Sequence, residues 1–293
     1  MILAALLALP LLANAPIIDF NDQQLDQKLA EVQKMPNVGD RVDAVSKLFL
    51  GLPYVAFPLG EGGTGPEPQP RFRLDGVDCQ TYVETVLALV NAKNRAKAEA
   101  VLDDIRYAKE PIKFGNRAHF TEAQWLPSLS SKGYLRDEIP SIWAGAPSAE
   151  LILNRDKWTR ISFLERLKDA DIPEGMFPIK YLSSAEVRRR AGSIEPGSII
   201  LVVRDFNPKT VLRVTHMGFV VKSSRGVVVR HASSAEHLVV EEPLSSYMSR
   251  MSDQSKWKVT GYALYMPIDA QVRTAQIKVK GGEKAKAPPT DDE

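Results

Sequence analysis

The chain has 293 residues, with 38 Lys+Arg against 36 Asp+Glu and a net charge near +2. With 44% hydrophobic and 25% charged residues it has the composition of a globular domain with a sizeable core, which excludes a collagen-like, a largely disordered or a multi-span membrane chain. The near-neutral balance gives no electrostatic case for nucleic acid as a partner, and one cysteine, Cys79, excludes an intrachain disulfide and a multi-cysteine zinc site.

Ile2 to Leu12 is an almost unbroken apolar run that ends at Ala13-Asn14-Ala15. It is too short for the roughly 20 residues of a membrane span, and the A-x-A pattern marks residues 1–15 as a signal peptide. The mature protein is therefore expected to be exported and free of a membrane span. No lipid anchor is expected, because that needs a cysteine at the cleavage site and Cys79 lies far from it. Residues 16–280 are expected to form one domain, followed by a disordered Gly/Lys/Pro/acidic tail over 281–293.

Residues 19–50 read as helical, with Leu25, Leu29, Val32, Val42 and Val45 spaced among charges. Glycine and proline are too dense from Gly51 onward to continue a helix, so 51–77 is a long loop. Loops of that length inside a domain are usually functional or disordered. Asp78 is an N-cap candidate for the helix that follows, in which positions 79, 82, 83, 86, 87 and 90 recur at helical spacing. Further helices are expected over 95–109, near 147–153 and near 161–170. A turn at Ile194-Glu195-Pro196-Gly197 leads into strands at 198–203, 213–222, 227–232 and 258–265. Helices first and an antiparallel sheet afterwards make the fold class α+β.

Cys79 falls in the first turn of its helix, where unpaired N–H groups and the helix dipole favour an anion, and hence a thiolate nucleophile. Position alone leaves a core cysteine equally open. The histidines favour chemistry. His216 and His231 lie on two strand patterns joined by the turn signal Ser223-Ser224-Arg225-Gly226. A two- or four-residue hairpin loop pairs 216 with 231 or 233, or 218 with 231, and side chains alternate. Both imidazoles then share one face as direct or diagonal neighbours. One can take the thiol proton while the other orients it. A metal site built from Cys79 and histidines lacks local ligand spacing, so no metal and no cofactor is expected.

Gly51-Leu52-Pro53-Tyr54, the Gly-rich loop, Asp78-Cys79, Thr215-His216-Met217-Gly218 and His231-Ala232-Ser233 resemble the NlpC-type branch of papain-like cysteine hydrolases. Leu59-Gly60-Glu61-Gly62, Asp78 to Glu84, and Arg117-Ala118-His119-Phe120 followed by Trp125 are closest to its N-acetylmuramoyl-L-alanine amidase-like family. The resemblance covers roughly 40–270; Gln124 stands where the family pattern has an acid and Leu52 where it has a small polar residue, and 135–185 does not align with it. It implies a papain-like fold, with a catalytic cysteine at a helix start packed on a C-terminal antiparallel sheet. It also implies peptidoglycan fragments as partners, in a Gram-negative periplasm. Carried over, Cys79 is the nucleophile, His216 the general base and acid, and His231 the orienting residue. Tyr54 lies beside the nucleophile, and Arg117, His119 and Trp125 line the substrate groove. The implied reaction cleaves the amide between N-acetylmuramic acid and L-alanine, preferentially in anhydro-muropeptides. The alternatives are a γ-D-glutamyl-diamino acid endopeptidase and a non-catalytic wall-binding module.

Overall fold

The computed structural model describes residues 15–63, 65–154, 166–168, 171–253 and 256–279. The expected signal peptide up to Asn14, most of the helix expected at 161–170 and the tail 281–293 lie outside these residues.

The helical stretch after residue 19 is two helices, α1 (Asp22–Val32) and α2 (Val38–Lys47). Pro36 lies between them, where a missing N–H and the restricted preceding residue stop a helix. Asn21 caps α1, its side chain accepting from the Gln24 N–H. The apolar spacing reports the core face: Leu25, Leu29, Val32, Val42 and Val45 are all buried. Next come α3 (Cys79–Val90) and α4 (Arg95–Arg106), the latter capped by Asn94. Every residue of α3 from Thr81 on is buried, so this helix runs through the middle of the molecule. Tyr82 fixes it there, edge-on to Phe49 after α2 and to Phe219 of the sheet, with ring centres 5.5 and 5.7 Å away.

A π-helical turn over Thr121–Trp125 leads into α5 (Leu126–Ser131), and strand β1 (Leu135–Asp137) and α6 (Ile139–Ile142) follow. Then come β2 (Ser148–Leu153), β3 (Gly175–Lys180), α7 (Ser184–Arg190), β4 (Ile199–Arg204), β5 (Val214–Ser223) and β6 (Gly226–Ser233). The described chain closes with β7 (Leu238–Pro243), α8 (Leu244–Asp253), β8 (Val259–Pro267) and α9 (Gln271–Gln276). Six strands form one sheet in the order β1-β8-β4-β5-β6-β7, antiparallel throughout. The architecture is α+β, with α3 packed against β5 and β6.

One expected element is corrected. Residues 147–153 are not helical: Ser148–Leu153 is strand β2, antiparallel to β3. Ala149, Leu151 and Leu153 point inward and alternate with outward Glu150 and Ile152, a period of two that a short apolar run conceals. Leu151 and Leu153 join a satellite cluster with Phe114, Phe120, Ile172 and Val211.

The described part of the long loop closes on itself. Gly60 N–H donates to Pro70 O (3.1 Å), Glu61 N–H to Glu67 O (2.9 Å) and Gly62 N–H to Gln69 O (2.9 Å). A Cβ on Gly60 would meet the Glu67 carbonyl oxygen at 2.2 Å, so the closed loop requires glycine there. The Arg106 guanidinium donates to Leu59 O and Gly60 O, both at 3.3 Å, and ties the loop to α4. No described helix is long and apolar enough to cross a membrane.

Candidate active site

Cys79 is the first residue of α3, and the expected cap is formed. The Asp78 carboxylate accepts from Thr81 N–H at 2.8 Å, and Thr81 Oγ1 accepts from Asp78 N–H at 2.9 Å. Cys79 is half-buried as a residue, and its sulfur lies beside β5, with hydrogen bonding from the backbone amides of Met217, Gln80 and Cys79 itself. Burial first, and the Asp78 charge second, push the thiol up to about 12 against those amides. The helix start therefore does not hold a resting thiolate. Its cap is itself an anion, and the sulfur is taken out of water.

The β5–β6 hairpin closes through a two-residue turn, with Ser223 paired to Gly226 and Phe219 to Arg230. Continued by one residue, this register sets Gly218 opposite His231, which leaves His216 and His231 as diagonal neighbours on one face. A β-bulge at Thr215, where Val202 pairs with His216 but Val203 with Val214, aims the His216 side chain. The two rings stand at 88° with centres 4.9 Å apart, and His216 Nε2 lies 2.8 Å from His231 Nδ1. Burial first, then the neighbouring His231 ring and the Arg204 guanidinium, hold His216 well below its ordinary value, so it is neutral at rest. Tyr247 of α8 packs on both rings, at 5.0 Å from His231 and 6.0 Å from His216.

The arrangement continues into residues the sequence reading missed. His231 Nε2 lies 2.9 Å from Glu242 Oε1, and Arg250 Nε donates to both Glu242 oxygens at 3.1 and 3.2 Å. Burial works to raise the Glu242 carboxyl, but His231 and Arg250 outweigh it and hold it below its ordinary value. The available signal was the apolar run Leu238-Val239-Val240 just after the His231 strand, a hairpin partner that would carry Glu242 to the histidine face.

Of the expected binding residues, Tyr54 lies near Cys79. Its N–H donates to His237 O at 2.9 Å, and its backbone bridges to Val77, just ahead of Asp78. Burial, then the neighbouring Cys79 and Asp78, push its phenol up to about 12, so it stays a hydroxyl. Arg117 and His119 form a second group on the Gly-rich loop. Arg117 lies 3.3 Å from Glu61 and 2.5 Å from Glu67, and sits over the Phe114 ring at 5.1 Å. His119 Nε2 lies 2.7 Å from Phe114 O, and burial with the Arg117 charge holds its pKa down to about 4. Trp125, expected in the groove, is instead fully enclosed in the core. Gln124 is structural: its Oε1 accepts from His119 N–H at 2.9 Å and its Nε2 donates to Asp171 O at 3.2 Å. The buried acid of that segment is Glu122, which accepts from the Arg213 and Val214 amides at 2.7 Å each.

The two groups are connected. Gln80 Nε2 donates to Glu84 Oε1 at 3.0 Å, Glu84 pairs with Arg106 at 3.3 Å, and Arg106 holds the Gly-rich loop. Among the described residues there is no cluster of three or more His, Cys, Asp or Glu that could hold a metal ion.

The family model for N-acetylmuramoyl-L-alanine amidase-like proteins matches residues 44–253. The chain belongs to this family. Solved structures resemble this amidase-like chain over most of their length. A Legionella pneumophila protein is 23% identical, with a TM-score of 0.70 over 85% of this chain and 97% of its own. An N-acetylmuramoyl-L-alanine amidase from Bacteroides uniformis is 25% identical, with a TM-score of 0.61 over 77% of this chain and 98% of its own. No curated protein matches.

Proposed function

We propose that this amidase-like protein is a cysteine hydrolase that cleaves the amide between N-acetylmuramic acid and L-alanine in peptidoglycan fragments, anhydro-muropeptides included. Family membership supports the wall substrate, and the similar B. uniformis amidase supports the bond. The observation that carries the thiol chemistry is local. Cys79 heads α3 beside the Met217 amide, and the preceding residue, His216, has its Nε2 engaged by His231. Nδ1 is then the ring nitrogen left for the thiol.

His216 Nδ1 takes the thiol proton as the sulfur adds to the lactyl carbonyl carbon. The oxyanion meets the amides at the helix start, which have no partner inside the helix. Collapse breaks the C–N bond, the imidazolium gives its proton to the departing alanine nitrogen, and a thioester on Cys79 remains. Water adds to the thioester as His216 takes its proton. The second collapse returns that proton to sulfur and frees the muramic carboxyl group. With the thiol pushed up to about 12 and His216 held low, the resting pair is uncharged, and proton transfer accompanies attack.

Mass spectrometry of purified disaccharide muropeptides after incubation tests the proposal. The expected products are a disaccharide without peptide and a free stem peptide, both absent with Cys79→Ala. Cleavage within the peptide would point to a γ-D-glutamyl-diamino acid endopeptidase, and no turnover at all to a wall-binding module. A periplasmic location belongs to the same proposal, since peptidoglycan lies outside the cytoplasm. An intact Met1 in a cytoplasmic fraction would count against it.

A further inference from the structure

In the β6–β7 ladder His231 pairs with Val240 and Val229 with Glu242. Side chains alternate, so Glu242 shares the face of His231, two positions along. Glu241 pairs with Arg230 on the other face, where it binds Arg230 at 2.6 Å and Arg225 at 2.7 Å. Two adjacent glutamates thus do unrelated things. The Glu242 side chain is only 10% exposed and His231 not at all. A carboxylate so enclosed stays ionised only when its lone pairs are taken up, here by His231 and Arg250.

An ionised carboxylate can only accept. His231 Nε2 therefore carries a proton, and as long as the ring holds only that one, Nδ1 is bare. The 2.8 Å contact between His231 Nδ1 and His216 Nε2 needs one proton, and His216 must supply it. That leaves His216 Nδ1 with its lone pair free. We infer, on the thiol mechanism proposed above, that Glu242, held by Arg250, is a positioning residue that fixes the tautomers of both histidines and so keeps His216 Nδ1 ready for the Cys79 proton. No proton passes to or from Glu242.

Without the carboxylate the order inverts at little cost. His231 donates from Nδ1, His216 Nε2 accepts, and the His216 proton moves to Nδ1, where it blocks the thiol. Glu242→Gln keeps the shape but offers an acceptor and a donor, so it removes the bias. Such outer partners typically contribute about 10–100-fold.

The test measures kcat and KM on a disaccharide muropeptide for the parent, E242Q, R250M and C79A, with imidazole 15N spectra of C79A and C79A/E242Q. E242Q should lower kcat by about 10–100-fold with KM little changed, and R250M by less. In C79A, His216 should be neutral with its proton on Nε2, and adding E242Q should shift that proton in part to Nδ1. Retention of kcat within about twofold by E242Q overturns the inference, as does any other His216 protonation state in C79A. An inactive C79A would in those cases leave the thiol mechanism standing. An active C79A would remove the mechanism, and the inference with it. If E242Q does not fold, the C79A spectrum decides alone.

Discussion

A Cβ on Gly218 would fall 2.7 Å from the Cβ of His231 and 2.6 Å from the carbonyl oxygen of Arg230. The glycine of Thr215-His216-Met217-Gly218 is what lets β6 bring His231 to His216. Because one obstacle is backbone, no change of rotamer relieves Gly218→Ala. The variant should lose about 1–3 kcal/mol, as overpacked sites do. It should also lose turnover, because the 2.8 Å His216–His231 contact lengthens. Urea unfolding and kcat are the measurements, and parent values in both would show that the approach is not constrained.

The second prediction concerns the resting thiol. Burial and Asp78 push Cys79 up to about 12, so at neutral pH it is protonated. The thiolate fraction then grows about tenfold per pH unit below that value, with no plateau in the acidic range. Iodoacetamide alkylation should therefore accelerate steadily with pH, and Asp78→Asn should alkylate faster than the parent at a given pH. A flat rate from mildly acidic pH upward would mean a preformed thiolate–imidazolium pair.

The elements with a clean period were legible in the sequence. The α3 apolar stripe, the Asp78 cap and the hairpin that brings His216 to His231 all follow from local spacing, and the structure shows each of them. The segment over 147–153 misled because the unbroken apolar run Leu151-Ile152-Leu153 hides the period of two, and its partner strand β3 lies more than twenty residues on. Glu242 and Arg250 stayed hidden for another reason. Their placement depends on β7 pairing beside β6 and on α8 packing over the histidine rings, both of which need the assembled sheet. The thiol's charge state was not legible either. The helix start is a local feature, whereas the burial that overrides it is tertiary.

The third prediction tests the tie between the Gly-rich loop and α3. Glu84 and Arg106 face each other at 3.3 Å with side chains 3% and 4% exposed. Burial raises the Glu84 carboxyl, and Arg106 is the main influence restraining it. Arg106→Met leaves that carboxylate buried without its cation and should cost about 3–5 kcal/mol. Arg106→Met with Glu84→Gln should recover much of the loss, since a neutral pair has no charge to desolvate. In both variants the loop loses its donors to Leu59 O and Gly60 O, so limited proteolysis should cut within 51–77 sooner. Unchanged proteolysis would show that the loop's own ring of hydrogen bonds suffices.

The last prediction is a pH dependence of stability. His119 is held down to about 4, by burial first and then by the Arg117 charge, against an ordinary value of 6.5. Above about pH 6.5 the ring is neutral in both folded and unfolded chains and favours neither. Between 6.5 and about 4 the unfolded chain binds a proton that the folded one refuses, so stability falls as pH falls. Below about 4 both are protonated and this contribution levels off. The full shift corresponds to about 3 kcal/mol, and solvent at the partly exposed edge of the ring reduces it to about 2 kcal/mol. Carboxylates such as Glu242 and Asp104, held below their ordinary values, add their own loss at lower pH. The histidine's share must therefore be read as a difference. His119→Gln, with no proton to gain, should be closer in stability to the parent at pH 4.5 than at pH 7.5. Its amide can still donate to Phe114 O, which the His119 ring approaches at 2.7 Å. Urea unfolding of both proteins at the two pH values measures this, and a constant gap between them would mean that His119 titrates as freely in the folded chain as in the unfolded one.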